Sequence, residues 1–369
     1  MTSSTAPQGS ALRTLVVLAA SVIALAGLYF AREMIGPLAI GAVIVIICMP
    51  LRAPLVRRGW PGWLANTAVI GLGWLILIVM ALLLAFAGVQ FAQLVGDYAA
   101  QLAQTADGLV NLLKSWGLNE QQVSSATASV LDPATILKYA GSLGGTVISV
   151  LGALFFIFSY VIFMAADAGR YAGAETAFGA RIHPTMLRIR AYNSGVRRYY
   201  VVNASFGAVV AIIDGLALWA LGVPAPAVWA ILAFVTNFIP NIGFIIGLIP
   251  PMLLALVVGG WPLMLGVIAI YCVVNVVLQV LVQPKFVSDA VSLSLTLSFF
   301  SVIFWTFVIG PVGAILSIPL TLLVRALVLD GDPGTSWLRW LSGDHDAAPV
   351  DSADGDHPAS DPEPAAETA

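Results

Sequence analysis

The sequence predicts an all-α, polytopic helical membrane protein with about six full spans, two interrupted helical hairpins, an extracytoplasmic helical segment and a disordered acidic C-terminal tail. Three observations carry that expectation. Hydrophobic residues make up 60% of the 369 and charged residues only 9%, where a soluble domain carries roughly 25% charged. Apolar runs long enough to cross a bilayer alternate with short connections bearing arginine. Two further runs, 228–258 and 293–329, are too long for one crossing and are interrupted midway by proline and glycine.

Residues 1–11 are polar and contain Pro7 and Gly9, so disorder is expected. Leu12–Phe30 is the first span. Ala24-Leu25-Ala26 resembles a signal-peptidase site, but the apolar run continues past it, which predicts a retained span. Ile35–Met49 and Leu64–Val89 complete a first block of three spans, 12–89. Across 90–140, Phe91, Leu94, Val95, Tyr98 and Leu102 recur at three- and four-residue spacing. That pattern predicts an amphipathic helix continuing the third span, serving as a gate, an oligomer contact or a self-packed cap. The block 141–329 holds a fourth span, Gly141–Ala166, a basic segment, 167–198, and a fifth span, Tyr199–Leu221. The hairpin 228–258, a sixth span, Leu263–Leu281, and the hairpin 293–329 follow. The tail, 330–369, is rich in Asp, Pro, Ala and Ser and cannot bury a core.

Charge sets the expected orientation. Residues 1–329 hold 15 basic against 9 acidic residues, while the tail holds ten acidic and one basic, Arg339. Arg170, Arg181, Arg188, Arg190, Arg197 and Arg198 mark the cytoplasmic side, because short Arg-rich segments resist translocation. Both termini then lie in the cytoplasm, and the two hairpins enter from opposite faces. Cys48 and Cys272 lie in apolar runs and read as core residues. His183 reads as a solvated loop histidine, and His345 and His357 as part of a solvated tail.

Broken backbone at membrane depth is tolerated only where it is buried in protein or lines a watery cavity, which makes the two breaks the candidate substrate pathway. Pro240 and Gly243 break the first hairpin, with Asn237 and Asn241 beside them as uncharged donors and acceptors. Those amides either meet a small polar solute or satisfy the freed backbone. Gly310, Pro311 and Gly313 break the second. Asn275, Gln279 and Gln283 recur every four residues and so share a helix face, as pathway lining or as glue between helices. Ser294 belongs to a Ser- and Thr-rich lead into the second hairpin. Asp214, the one acid within the apolar runs, is a candidate proton or monovalent-cation site, or a structural hydrogen bond. No phosphate loop, His-Glu-x-x-His pair or Cys-x-x-Cys occurs, so no catalytic residue, cofactor or metal ligand set is expected. The basic segment is too sparse for a nucleic-acid site. The expected partners are the lipid bilayer, a small polar solute or monovalent cation, and further copies of the chain in a homo-oligomer.

The set Ile239-Pro240, Gly243 and Pro250, followed by Gln283-Pro284 and then Gly310, Gly313 and Pro319, resembles the bacterial autoinducer-2 exporter family, also called the PerM-type permeases. The likeness covers most of Leu12–Leu329 in its order of spans, and residues 222–320 carry the specific motifs. It implies transport, with autoinducer-2 export assigned to some members and exchange of sodium or lithium for protons to others. The chain departs from the family pattern at Asn237, where many members carry an acid, and at Ser288 and Ser292, where glycine is common.

Overall fold

A computed structural model describes residues 8–115, 133–283, 293–329 and 333–343. An apolar run in hydrocarbon must satisfy its own backbone, so each long run is helical, and no strand occurs among the described residues. The elements are α1 (Gln8–Phe30), α2 (Arg32–Cys48), a 3-10 turn (Met49–Leu51), α3 (Arg52–Arg57), α4 (Gly62–Asp97) and α5 (Ala99–Ser115). Next come α6 (Pro133–Phe178), a 3-10 turn (Gly179–Ile182), α7 (His183–Ala220), α8 (Pro226–Thr236) and α9 (Gly243–Asn275), which kinks at a non-helical Gly260 (φ 68°, ψ −163°) and continues as π-helix over Val276–Val282. The second hairpin is α10 (Leu295–Ile309) and α11 (Pro311–Val328), and a short helix, α12 (Ser336–Leu341), closes the described chain. Among the described residues, the stretches Arg32–Arg57, Gly62–Asp97, Gly173–Ala220, Gly243–Val282 and Pro311–Val328 are long and apolar enough to cross a membrane. Each of the six apolar runs expected to span is helical over most of its length.

Three expectations are corrected. Helix α1 starts at Gln8, so the 1–11 region is helical from there on; no residue in Gln8–Ala11 forbids the helix that the following apolar run propagates. The basic segment 167–198 is helical on both sides of the Gly179–Ile182 turn, and His183 opens α7 instead of sitting in a loop. Its Nδ1 lies 3.2 Å from Glu175 Oε1, and Arg190 Nη2 donates to Glu175 Oε2 at 2.8 Å. Within the tail, 333–343 form a 3-10 turn and the short helix α12, and Ser342 O accepts from Ser294 N at 2.7 Å, which ties α12 to the base of the second hairpin. The expectations for Pro284, Ser288, Ser292, His345 and His357 lie outside the described residues.

Helix α7 is the axis of the fold. Its 38 residues span ~57 Å at about 1.5 Å per residue. One end packs with the first hairpin: Leu218 joins Val228, Trp229, Leu248, Ala255, Val267 and Tyr271 in one core, against which Phe91 and Leu94 of α4 also pack. The Arg-rich end packs with the second: Val196, Tyr199 and Tyr200 join Trp305, Val308, Ile309, Leu316 and Ile318. A third core, Ile44, Cys48, Val69, Ile157 and Val161, joins α2, α4 and α6. The α4 extension with Val95 thus packs on the first hairpin and does not stand free.

The two hairpins approach α7 from opposite ends. Along α8, Ala230 meets Gly215 and Asn237 meets Gly207, so the first hairpin runs down α7 from its C-terminal end. Along α11, the Ile315 carbonyl accepts from Tyr200 Oη at 3.0 Å and the Pro319 carbonyl from Tyr192 Oη at 3.4 Å. The second hairpin therefore comes up α7 from its N-terminal end, and its turn at Gly310 points toward the helix middle. Gly310 adopts φ 77°, ψ −161°, backbone that only glycine takes readily.

Small residues let α8 lie close on α7. A methyl at Gly215 would sit 2.9 Å from Ala230 Cβ. Gly215→Ala is expected to cost about 1–3 kcal/mol by overpacking, read as an earlier loss of the monodisperse species when detergent-solubilised protein is heated.

Candidate functional site

The first hairpin breaks between Thr236 and Gly243, where expected. Pro240 cannot donate, and Asn241 takes a left-handed conformation at φ 63°, which asparagine tolerates better than most residues. The freed backbone is largely repaired locally. Ile239 N donates to Thr236 O at 2.9 Å, Ile242 N to Pro240 O at 2.7 Å and Gly243 N to Ile239 O at 3.1 Å. The polarity the elbow offers is therefore mostly that of side chains, with less open main chain than the break itself implies.

Those side chains come from three elements. Asn237 Nδ2 donates to the Asn203 carbonyl of α7 at 2.9 Å. Gln279 Nε2 donates to Asn237 Oδ1 at 2.7 Å and to Asn275 Oδ1 at 2.5 Å; one amide nitrogen carries two hydrogens and can serve both. Gln283 Nε2 donates to Asn203 Oδ1 at 2.6 Å, and Asn275 Nδ2 to the Tyr271 carbonyl at 2.8 Å. Asn203, Asn237 and Asn275 are buried. The π-helical stretch over Val276–Val282 holds Gln279, and such local widening recurs at functional positions.

A cavity of about 10 Å³ lies against this network. Its polar wall is Asp214, Asn237, Tyr271, Asn275 and Gln279, and its apolar wall Val210, Ala233, Phe244 and Gly247. Asp214 is 0% exposed, and among the described residues neither of its carboxyl oxygens nor the Tyr271 hydroxyl has a hydrogen-bond partner. Such a space takes about one water molecule, far short of the roughly 300 Å³ and more of a typical ligand pocket. The chain is thus in a closed arrangement in which the amides satisfy one another.

Of the residues singled out in the sequence, Asn237, Asn275, Gln279 and Asp214 line one cavity, and Gln283 braces it through Asn203. Pro240 and Gly243 shape the elbow. Asn241 is exposed at its tip, outside the cavity wall. Ser294 caps α10, accepting from Leu297 N at 3.2 Å; it therefore serves the helix end and is not on the cavity wall. Ser294→Ala is expected to lower stability by about 1 kcal/mol and leave solute flux at the wild-type rate, checked by thermal unfolding and vesicle flux in parallel. Gly310, Pro311 and Gly313 also lie off that wall. They form the second turn, whose arms are tied further down where Ser301 and Trp305 of α10 meet Thr321 Oγ1 of α11 at 2.8 and 3.0 Å. Tyr200 links the two breaks, packing on Phe238 with ring centroids 6.2 Å apart.

Asn203 and Tyr271 did not stand out in the sequence. The signal was present in spacing: Asn203, Gly207, Val210 and Asp214 follow four-three-four steps on one helix face, and Tyr271 extends the Asn275–Gln279–Gln283 stripe by one turn.

Comparison with known proteins places these features in context. The family model described as "AI-2E family transporter" matches residues 18–331. The "AI-2 transport protein TqsA" of Escherichia coli strain K12 is 30% identical over 321 residues, covering 85% of this chain and 91% of that protein. A "Putative transport protein" of Haemophilus influenzae is 29% identical over 336 residues, 90% of this chain and 96% of that protein. The "Putative transport protein YhhT" of Escherichia coli strain K12 is 26% identical over 346 residues, 91% and 96% of the two lengths.

Proposed function

Because the chain belongs to the AI-2E transporter family, we propose that this multi-pass membrane protein exports a small polar, hydroxylated solute such as autoinducer-2 across the bacterial inner membrane. The first elbow binds the solute, and the two hairpins expose it alternately. The observation that carries this reading is the amide cluster Asn203, Asn237, Asn275 and Gln279, closed on itself beside a cavity the size of one water. A solute with several hydroxyl groups can replace the amide–amide bonds one for one, so admitting it opens the elbow without leaving buried polar groups unpaired. The hairpins meet α7 from its two ends, so small movements of either arm uncover the same middle stretch from opposite directions, as broken-helix transporters do.

The test is export from sealed vesicles. Full-length protein reconstituted in lipid and loaded with autoinducer-2 is expected to release it faster than empty-lipid controls. Release that Gln279→Leu reduces to the control rate supports the site; release indifferent to that change places it elsewhere. Exchange of sodium or lithium for protons is the second reading, favoured by the buried carboxyl of Asp214. A sodium-dependent pH change in solute-free vesicles, abolished by Asp214→Asn, is the outcome that selects it.

A further inference from the structure

We infer that Asp214 is a proton-operated latch on the first elbow: protonated, it leaves the amide lock closed; ionised, it draws the Gln279 amide away from Asn237 and frees the elbow. This rests on the transport reading above for its purpose, but its mechanism can be tested without any cargo.

The carboxyl is fully enclosed and shares a cavity one water wide with Gln279, Asn275 and the Tyr271 hydroxyl; among the described residues neither its oxygens nor that hydroxyl has a hydrogen-bond partner. An ionised carboxylate left so would be an uncompensated buried charge, so the closed arrangement belongs to the neutral acid. Tyr271 is the other titratable side chain on the wall, and no charged side chain from α7, α8 or α9 lines it. When the proton leaves to a water molecule admitted to the cavity, the carboxylate becomes the strongest acceptor present. Charge-assisted hydrogen bonds are roughly twice as strong as neutral ones. The donors within the cavity are the Tyr271 hydroxyl and the side-chain amides, and Gln279 Nε2 is the group that holds Asn237 shut. Turning it toward Asp214 cuts the bond between Asn237 and the π-helical stretch and leaves the Asn237 side chain held only by its bond to the Asn203 carbonyl of α7. Opening then lets water reach the carboxylate and the solute reach the amides, so proton release and elbow opening become one event.

The test uses full-length protein in lipid vesicles, with Cys48→Ser and Cys272→Ser as background and Ala233→Cys on the cavity wall as reporter. A small water-soluble thiol reagent labels the reporter across a pH series, and each rate is divided by the rate in the same protein carrying Asp214→Asn. That ratio removes the ordinary rise of thiol reactivity with pH. The expected ratio is flat at low pH and rises through a single step as Asp214 ionises; Asp214→Glu keeps the step with its midpoint moved. An infrared carboxylic-acid band that titrates with the same midpoint and is missing in Asp214→Asn completes the expected set, and it is read on the otherwise unmutated chain if the cysteine variants do not assemble. A ratio that stays flat at all pH values, or a band that does not titrate, overturns the latch. Vesicles that show the step and the band but no autoinducer-2 flux uphold the latch and overturn the proposed cargo.

Discussion

Gly243→Ala is expected to abolish flux and to destabilise the protein by about 3 kcal/mol or more, at the upper end of overpacking penalties. A methyl at that position would overlap the carbonyl of Thr236, the last residue of α8. The obstacle is backbone, not the far end of a flexible side chain, so the arm leaving the elbow cannot stay where it is. Moving it by even a few tenths of an ångström drags Gly247, which sits directly on Thr236, and with it the cavity wall. Gly313 stands in the same relation to the Trp305 carbonyl in the second hairpin. Thermal unfolding in detergent and vesicle flux check both sites: Gly313→Ala is expected to lose comparable stability while leaving the labelling of a cavity cysteine by a thiol reagent nearer to normal. Near-native stability for Gly243→Ala would contradict the tight elbow.

The second large effect is expected of Asn237→Leu. Leucine fills a similar volume but removes the donor to the Asn203 carbonyl and the acceptor for Gln279. Each buried group left unpaired costs about 1–3 kcal/mol, although Gln279 keeps its bond to Asn275. A loss of about 2–4 kcal/mol overall is expected, together with loss of autoinducer-2 flux. Gln279→Leu, which leaves the Asn237–Asn203 bond intact, should be the milder change in stability and equally severe in flux. The pair of measurements separates holding the elbow together from handling solute: equal stability losses with flux retained would make the cluster purely structural.

The position of the elbow was legible because proline and glycine act locally: Pro240 and Gly243 end one helix and begin another whatever surrounds them. The turn at Gly310 was legible for the same reason. What the sequence could not give was convergence. Asp214 and Asn237 belong to different segments, and read singly they suggested two separate sites, one for a proton and one for a solute. They share a cavity because α8 lies on α7 through Gly207 and Gly215, a tertiary approach that the residues permit without announcing. Ser294 and Asn241 show the opposite limit. One leads into the second hairpin and the other sits at the first break, and local backbone needs, a helix cap and a left-handed turn, account for each.

The measurement that bears most directly on the elbow as a solute pathway is sided labelling of Ala233→Cys in sealed vesicles of one orientation, with Cys48→Ser and Cys272→Ser. Ala233 is buried on the cavity wall and its side chain takes no part in the amide lock. The expected result is that a membrane-impermeant thiol reagent reaches it from either face, and that autoinducer-2 slows the reaction from both. Reaction from neither face in vesicles that export the solute would contradict it, because the pathway would then run somewhere other than the broken helix.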